Sequence, residues 1–168
     1  MSDDRVARQL YDWLAEGVEL RFGSAGDSDG PIILPSYETG PSEFTRVLLR
    51  ARKRADRIEE LLSKAKRVQR KLAAVQKDAA DIAQDKLDEA LVAGNASRIE
   101  FSTGMERKAE ASLKSFEEKR AERLAQRRLD VANEVVEALK DLHFGLAGWR
   151  TDVRDVIRSY QLESNLEH

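Results

Sequence analysis

From Ser42 to Ala93 the chain contains neither glycine nor proline, and that uninterrupted stretch limits the possible folds more than any other feature. Apolar or alanine positions recur through it at Phe44, Leu48, Ala51, Ala55, Ile58, Leu62 and Ala65, in steps that alternate between four and three. Such steps lay one stripe along one side of an α-helix and do not match the period of two that a strand requires. The series resumes at Val68, Leu72, Val75, Ala79 and Ile82, and two successive three-residue steps at Leu62, Ala65 and Val68 mark one phase shift in a heptad-like seam. The spacing predicts a helix of about fifty residues, roughly 75 Å long. It should stop near Gly94-Asn95, where a residue tolerant of positive φ suits a helix C-terminus.

A second long helix is predicted after Thr103, which with Glu106 forms a capping box. Its apolar series runs through Ala109, Leu113, Phe116, Leu124, Val131, Val135, Leu139 or Ala138, Leu142, Leu146, Trp149, Val153, Val156 and Tyr160. Gly145 and Gly148 predict a kink or the close approach of another helix. A shorter amphipathic helix is expected over residues 1–22, from the spacing of Val6, Leu10, Trp13, Leu14 and Val18, with Ser2, Asp3 and Asp4 at its start. Between it and the long helices, residues 23–41 hold all three prolines and Gly26, Gly30 and Gly40, so this is a loop. Its apolar island, Ile32-Ile33-Leu34, should either dock on the helices or present a partner-binding strand.

The expected fold is all-α. The short N-terminal helix joins two very long helices, which form an antiparallel coiled-coil hairpin over residues 42–163 with its tip near 94–103, because neither long helix can bury its stripe alone. Reflection of the chain about residue 98 places Phe44 near Asp152. Phe44, Val47, Leu48 and Leu49 then meet Leu139, Leu142, Phe144, Leu146, Trp149 and Val153 in a three-helix base, with Leu10, Trp13 and Leu14 of the first helix. Beyond the base an alanine-rich two-helix arm buries little area per residue, which predicts a homo-oligomer whose second chain covers it. Residues 164–168 are expected to be a tail that resembles an expression-tag remnant.

Composition narrows the function classes. The chain has no cysteine, which excludes disulfides, thiolate metal sites and a cysteine nucleophile. No apolar run approaches the roughly 18–20 residues that span a bilayer, and the acidic start lacks the order of a signal peptide, so a cytoplasmic protein with no membrane partner is expected. Nineteen arginines against ten lysines, with frequent alanine, accord with a GC-rich bacterial or phage genome.

The formal net charge of −2 conceals blocks of opposite sign. Residues 1–43 carry −6, 44–71 carry +8, 72–104 carry −3, 105–128 carry +3 and 129–168 carry −4. The basic block, with Arg46, Arg50, Arg54, Arg57, Lys64, Arg67, Arg70 and Lys71, could lie along nucleic-acid phosphates or meet an acidic partner. It has few aromatics for base stacking, and in a hairpin it faces the segment of Asp130, Glu134, Glu137 and Asp141. The stripe Asp78, Asp81, Asp85 and Asp88 is similar only in outline to the acidic helix motifs of all-α nucleotide pyrophosphohydrolases, which are Glu-dominated and divided between two helices. The stripe therefore reads more simply as a solvated face, or as one that sets register against the basic block of a second chain. His143 has no cysteine or second internal histidine beside it and reads as a packed side chain, and no phosphate-cradling glycine motif is present.

The leading expectation is a non-enzymatic, self-associating assembly or adaptor protein that needs no cofactor and engages a protein partner through Ile32, Ile33, Leu34 and the tip residues Ile99 and Phe101. Nucleic-acid binding through residues 46–71 is the alternative, and a metal-dependent nucleotide phosphohydrolase the remote one.

Overall fold

A computed structural model describes residues 3–23, 32, 33, 35, 40–96 and 104–166. They form four helices, α1 (Asp3–Phe22), α2 (Pro41–Ala96), α3 (Gly104–Lys114) and α4 (Phe116–Leu166), and no strand occurs among the described residues. The protein is all-α, with α2 and α4 packed against each other as a helical hairpin.

Local chemistry accounts for the helix ends. Gly23 takes a φ of 82° and donates its N–H to the Glu19 carbonyl at 2.7 Å, a left-handed cap that closes α1. Gly40, with a φ of 81°, precedes Pro41, whose fixed φ and missing N–H suit the first position of α2, and Glu43 adds a carboxylate to the first turn. At the other end α2 carries on through Gly94 and Asn95 to Ala96, slightly beyond the expected stop. The long second helix is interrupted once, at Ser115. Ser115 N–H donates to Ala111 O at 3.1 Å and Lys119 N–H to Ser115 O at 3.1 Å, so helical bonding continues on both sides. The Ser115 hydroxyl also donates to Ala111 O at 3.0 Å, a back-bond that locally perturbs a helix. No break occurs at Gly145 or Gly148, and α4 continues as helix to Leu166, into the expected tail.

The chain divides into two compact units, Met1–Lys66 with Glu134–His168, and Arg67–Asn133. In the first unit, Leu10 of α1 joins Phe44, Val47, Ala51, Ala55, Ile58, Leu61 and Leu62 of α2 and Val135, Val136, Leu139, Leu146 and Val153 of α4 in a buried core. Both Leu61 and Leu62 are buried because α2 is approached from two sides, and Leu20 of α1, Ile32 and Leu142 pack on the Ala55, Ile58 and Leu146 cluster. Gly17 lets α1 come close: a Cβ there would stand 2.7 Å from Leu139 Cδ2. At Gly145 a Cβ would stand 3.4 Å from Arg21 Nε, an ordinary contact, so packing does not require a glycine there as it does at Gly17.

Several expected positions differ. Val18, Leu49 and Phe144 are exposed. Phe144 stands two residues from both Leu142 and Leu146, about 200° round the helix from them, and so points outward. Phe44 packs on Tyr160, with ring centroids 5.6 Å apart, two turns beyond the expected Asp152. That pair has residue 102 as its midpoint, four residues beyond the expected reflection about residue 98.

The second unit buries small side chains. Ala83 of α2, Ala111 and Ser115, and Ala125 and Ala132 of α4 form its seam. Across it Gln69 Nε2 donates to Asn133 Oδ1 at 2.7 Å. The expected seam of Val75, Ile82, Leu113, Phe116 and Leu124 is exposed instead. Burial on α4 keeps a strict alternation of three and four through Ala125, Leu129, Ala132, Val136, Leu139, His143 and Leu146, and its extension N-terminally gives Glu122, Glu118, Ser115 and Ala111. The large apolar residues upstream are out of phase with that line.

Candidate interaction surface

The exposed apolar residues of the second unit form two ordered stripes. On α2, Val75, Asp78, Ile82, Asp85, Glu89 and Val92 follow each other at steps of three and four, and all are exposed. On α4 and the end of α3, Leu113 is 75% and Phe116 58% exposed, and Phe116 and Leu124 line a groove with Ser112, Lys119, Arg120, Arg123 and Arg127. One stripe is acidic and apolar, the other basic and apolar. The stripes resist self-burial for a geometric reason: helices that touch through alanine and serine approach closely, and the larger side chains are then turned away from the contact.

Charges on the acidic stripe are mostly solvated. Glu89 binds Lys86 at 2.7 Å, and Asp88 accepts from Gln84 Nε2 at 3.0 Å. The Lys86 ammonium is pushed above its usual pKa chiefly by its hydrogen bond to Glu89, with the fields of Glu118 and Asp85 adding to it. Asp85, Asp88, Glu89, Val92 and Ala93 line a shallow depression. Among the described residues no three His, Asp or Glu side chains converge so as to hold a metal ion. Carboxylates at three- and four-residue spacing on one straight helix splay apart unless a second helix brings others to meet them.

The basic block of α2 is largely occupied within the first unit. Arg54 is only 7% exposed, and Arg50 is half-buried. Arg46 pairs with Glu43 at 3.3 Å, and Arg57 bridges Glu16 of α1 at 2.8 Å and Glu60 on its own helix. Lys64 joins Glu60 at 2.7 Å. These contacts raise the Arg57 pKa, with Glu16 the largest cause, and lower that of Glu60, through Lys64 first and Arg57 second. Of the four facing acids expected to answer this block, Glu137 and Asp130 are engaged on their own helix: Lys140 binds Glu137, and Gln126 donates to Asp130. Arg67, Arg70 and Lys71 are exposed.

Of the apolar island, Ile32 is half-buried on the Ala55, Ile58 and Leu146 cluster, and Ile33 points outward at 68% exposure. Leu34, Ile99 and Phe101 lie outside the described residues. The sequence reading missed Gly17, because a packing position without a side chain leaves no apolar mark. It singled out Asp78 and Asp85 as a solvated face but placed Val75, Ile82, Leu113, Phe116 and Leu124 in the seam, because it ranked positions by side-chain size. The signal that would have found them is phase: continuing the core heptad upstream from Leu139 arrives at Ala132 and Ala125, and strands Leu124, Phe116 and Leu113 on other faces.

No helix among the described residues is long and apolar enough to cross a membrane. Compared with known protein families, curated proteins and solved structures, the chain matches none.

Proposed function

We propose that this is a non-enzymatic coiled-coil assembly protein that associates with itself or with another helical partner through the second unit. The observation that carries this reading is the exposed face of Leu113, Phe116 and Leu124, side chains of core size on a helix pair whose own contact is made of alanine and serine. An alanine seam buries little area, so a second apolar surface brought against that face contributes more than the intramolecular contact does. Large apolar residues spaced along a helix surface are also the anchors of helix-in-groove recognition.

Leu113→Ser combined with Phe116→Ser tests it. Helicity by circular dichroism should change by less than a tenth, while light scattering after size exclusion should show a loss of associated species. Association equal to that of the unaltered chain would remove this face from the account.

A second reading, nucleic-acid contact, draws on exposed Arg67, Arg70 and Lys71, which lie at helical spacing on one side of α2. It requires binding to random duplex or single-stranded DNA that falls steeply with salt, and no binding at low salt eliminates it.

A further inference from the structure

We infer that the occupant of the basic groove on α4 is the acidic stripe of α2 from a second copy of this chain, docked antiparallel and side by side. The inference rests on the assembly reading above and names its partner. Three observations carry it, the first being charge: Arg120, Arg123 and Arg127 line the groove around Phe116 and Leu124, and Asp78, Asp85 and Glu89 alternate with Val75, Ile82 and Val92 on the stripe. All six ionisable residues are exposed.

Spacing is the second. Asp78 and Asp85 stand seven residues apart, as do Arg120 and Arg127. Run antiparallel, Asp85 comes opposite Arg120, Asp78 opposite Arg127 and Val92 opposite Leu113, while Ile82 falls against Arg123, beside Leu124, and Glu89 falls against Phe116. Two charge pairs and one apolar pair therefore share one register, over about 20–25 Å at 1.5 Å per residue. The third is direction. At about 100° per residue the groove lies roughly half a turn from the α4 seam, whereas the stripe lies roughly a third of a turn from the α2 seam. The two surfaces do not share one face, so each copy gives its stripe to one neighbour and its groove to another. Such a contact is heterologous, and it generates a ring where the rotation closes and a filament where it does not.

Two full-length variants test this arrangement, because the chain makes each contact with a different surface. One carries Asp78→Ser, Ile82→Ser and Asp85→Ser; the other carries Arg120→Ser, Arg123→Ser and Arg127→Ser. In sedimentation velocity each variant alone should associate at least tenfold more weakly than the unaltered chain. Mixed in equal amounts, they should form a one-to-one dimer and nothing larger, since only one intact stripe and one intact groove remain for each pair. Variants that associate like the unaltered chain, or a mixture that stays monomeric although the unaltered chain associates, would overturn this docking and leave self-association standing. An unaltered chain that is monomeric throughout would overturn both this docking and self-association, and leave only a different helical partner for the exposed face.

Discussion

Ala132→Asp should unfold the Arg67–Asn133 unit at neutral pH, and Leu113→Asp should leave it folded. Hydrophobicity alone predicts the reverse, because leucine loses far more than alanine on replacement by a carboxylate. The structure inverts the order: Ala132 is fully buried in the seam, whereas Leu113 is 75% exposed. A carboxylate at position 132 would be taken out of water with no partner placed for it. The effective penalty is on the order of 3–5 kcal/mol, enough to separate helices joined by so little buried area. Burial disfavours the charged form, so the new aspartate would have a folded-state pKa raised above its unfolded value of about 3.9. The sign follows. The destabilisation is fully present above the raised pKa, shrinks as pH falls through it, and no longer grows or shrinks below about 3.9, where both states are protonated. Hydrogen exchange at pH 7 and circular dichroism across pH 3–7 would read it. Equal effects of the two substitutions, or a larger effect of Leu113→Asp on stability, would place the seam elsewhere.

Leu139→Ala should cost about 3–5 kcal/mol, among the largest losses available in the first unit. Leu139 is fully buried, and its Cδ2 occupies the space that the missing side chain of Gly17 leaves open, so it is held by α1 as well as by its own layer. Truncation leaves a cavity bounded by two rigid helices and a glycine, none of which supplies atoms to refill it. The expected results are a lower urea midpoint and earlier exposure of Trp13, followed by fluorescence. A cost below about 1 kcal/mol would mean that α1 does not rest on Leu139.

The long helices and the core line through Phe44, Ala51, Ala55 and Ile58 were legible in the sequence, because length without glycine or proline and a repeating step are backbone properties. Register was not. The pairing of Phe44 with Tyr160 is set between helices, and a stripe that repeats every three or four residues does not say which turn of one helix meets which turn of the other. The interaction surface was visible only in part. Its charges stood out as blocks, but its apolar residues were assigned to the interior, since Leu113, Phe116 and Leu124 look like core until the phase of Ala125 and Ala132 is traced from Leu139. The basic block of residues 44–71 was expected to face Asp130, Glu134, Glu137 and Asp141, and in the fold Arg54 is buried while Arg57 ties α1 to α2 through Glu16. Near-neutral total charge thus arises from acids and bases that serve different contacts.

The most direct test of self-association through charged helix faces is sedimentation velocity of the unaltered chain over a range of concentrations, at about 0.05 M and 1 M salt. Screening length falls from more than about 10 Å to about 3 Å over that range. The account predicts concentration-dependent association at low salt that weakens at high salt, as Asp78 and Asp85 of one copy lose their attraction to Arg127 and Arg120 of the next. A chain that sediments as a monomer at every concentration and both salt levels would contradict it.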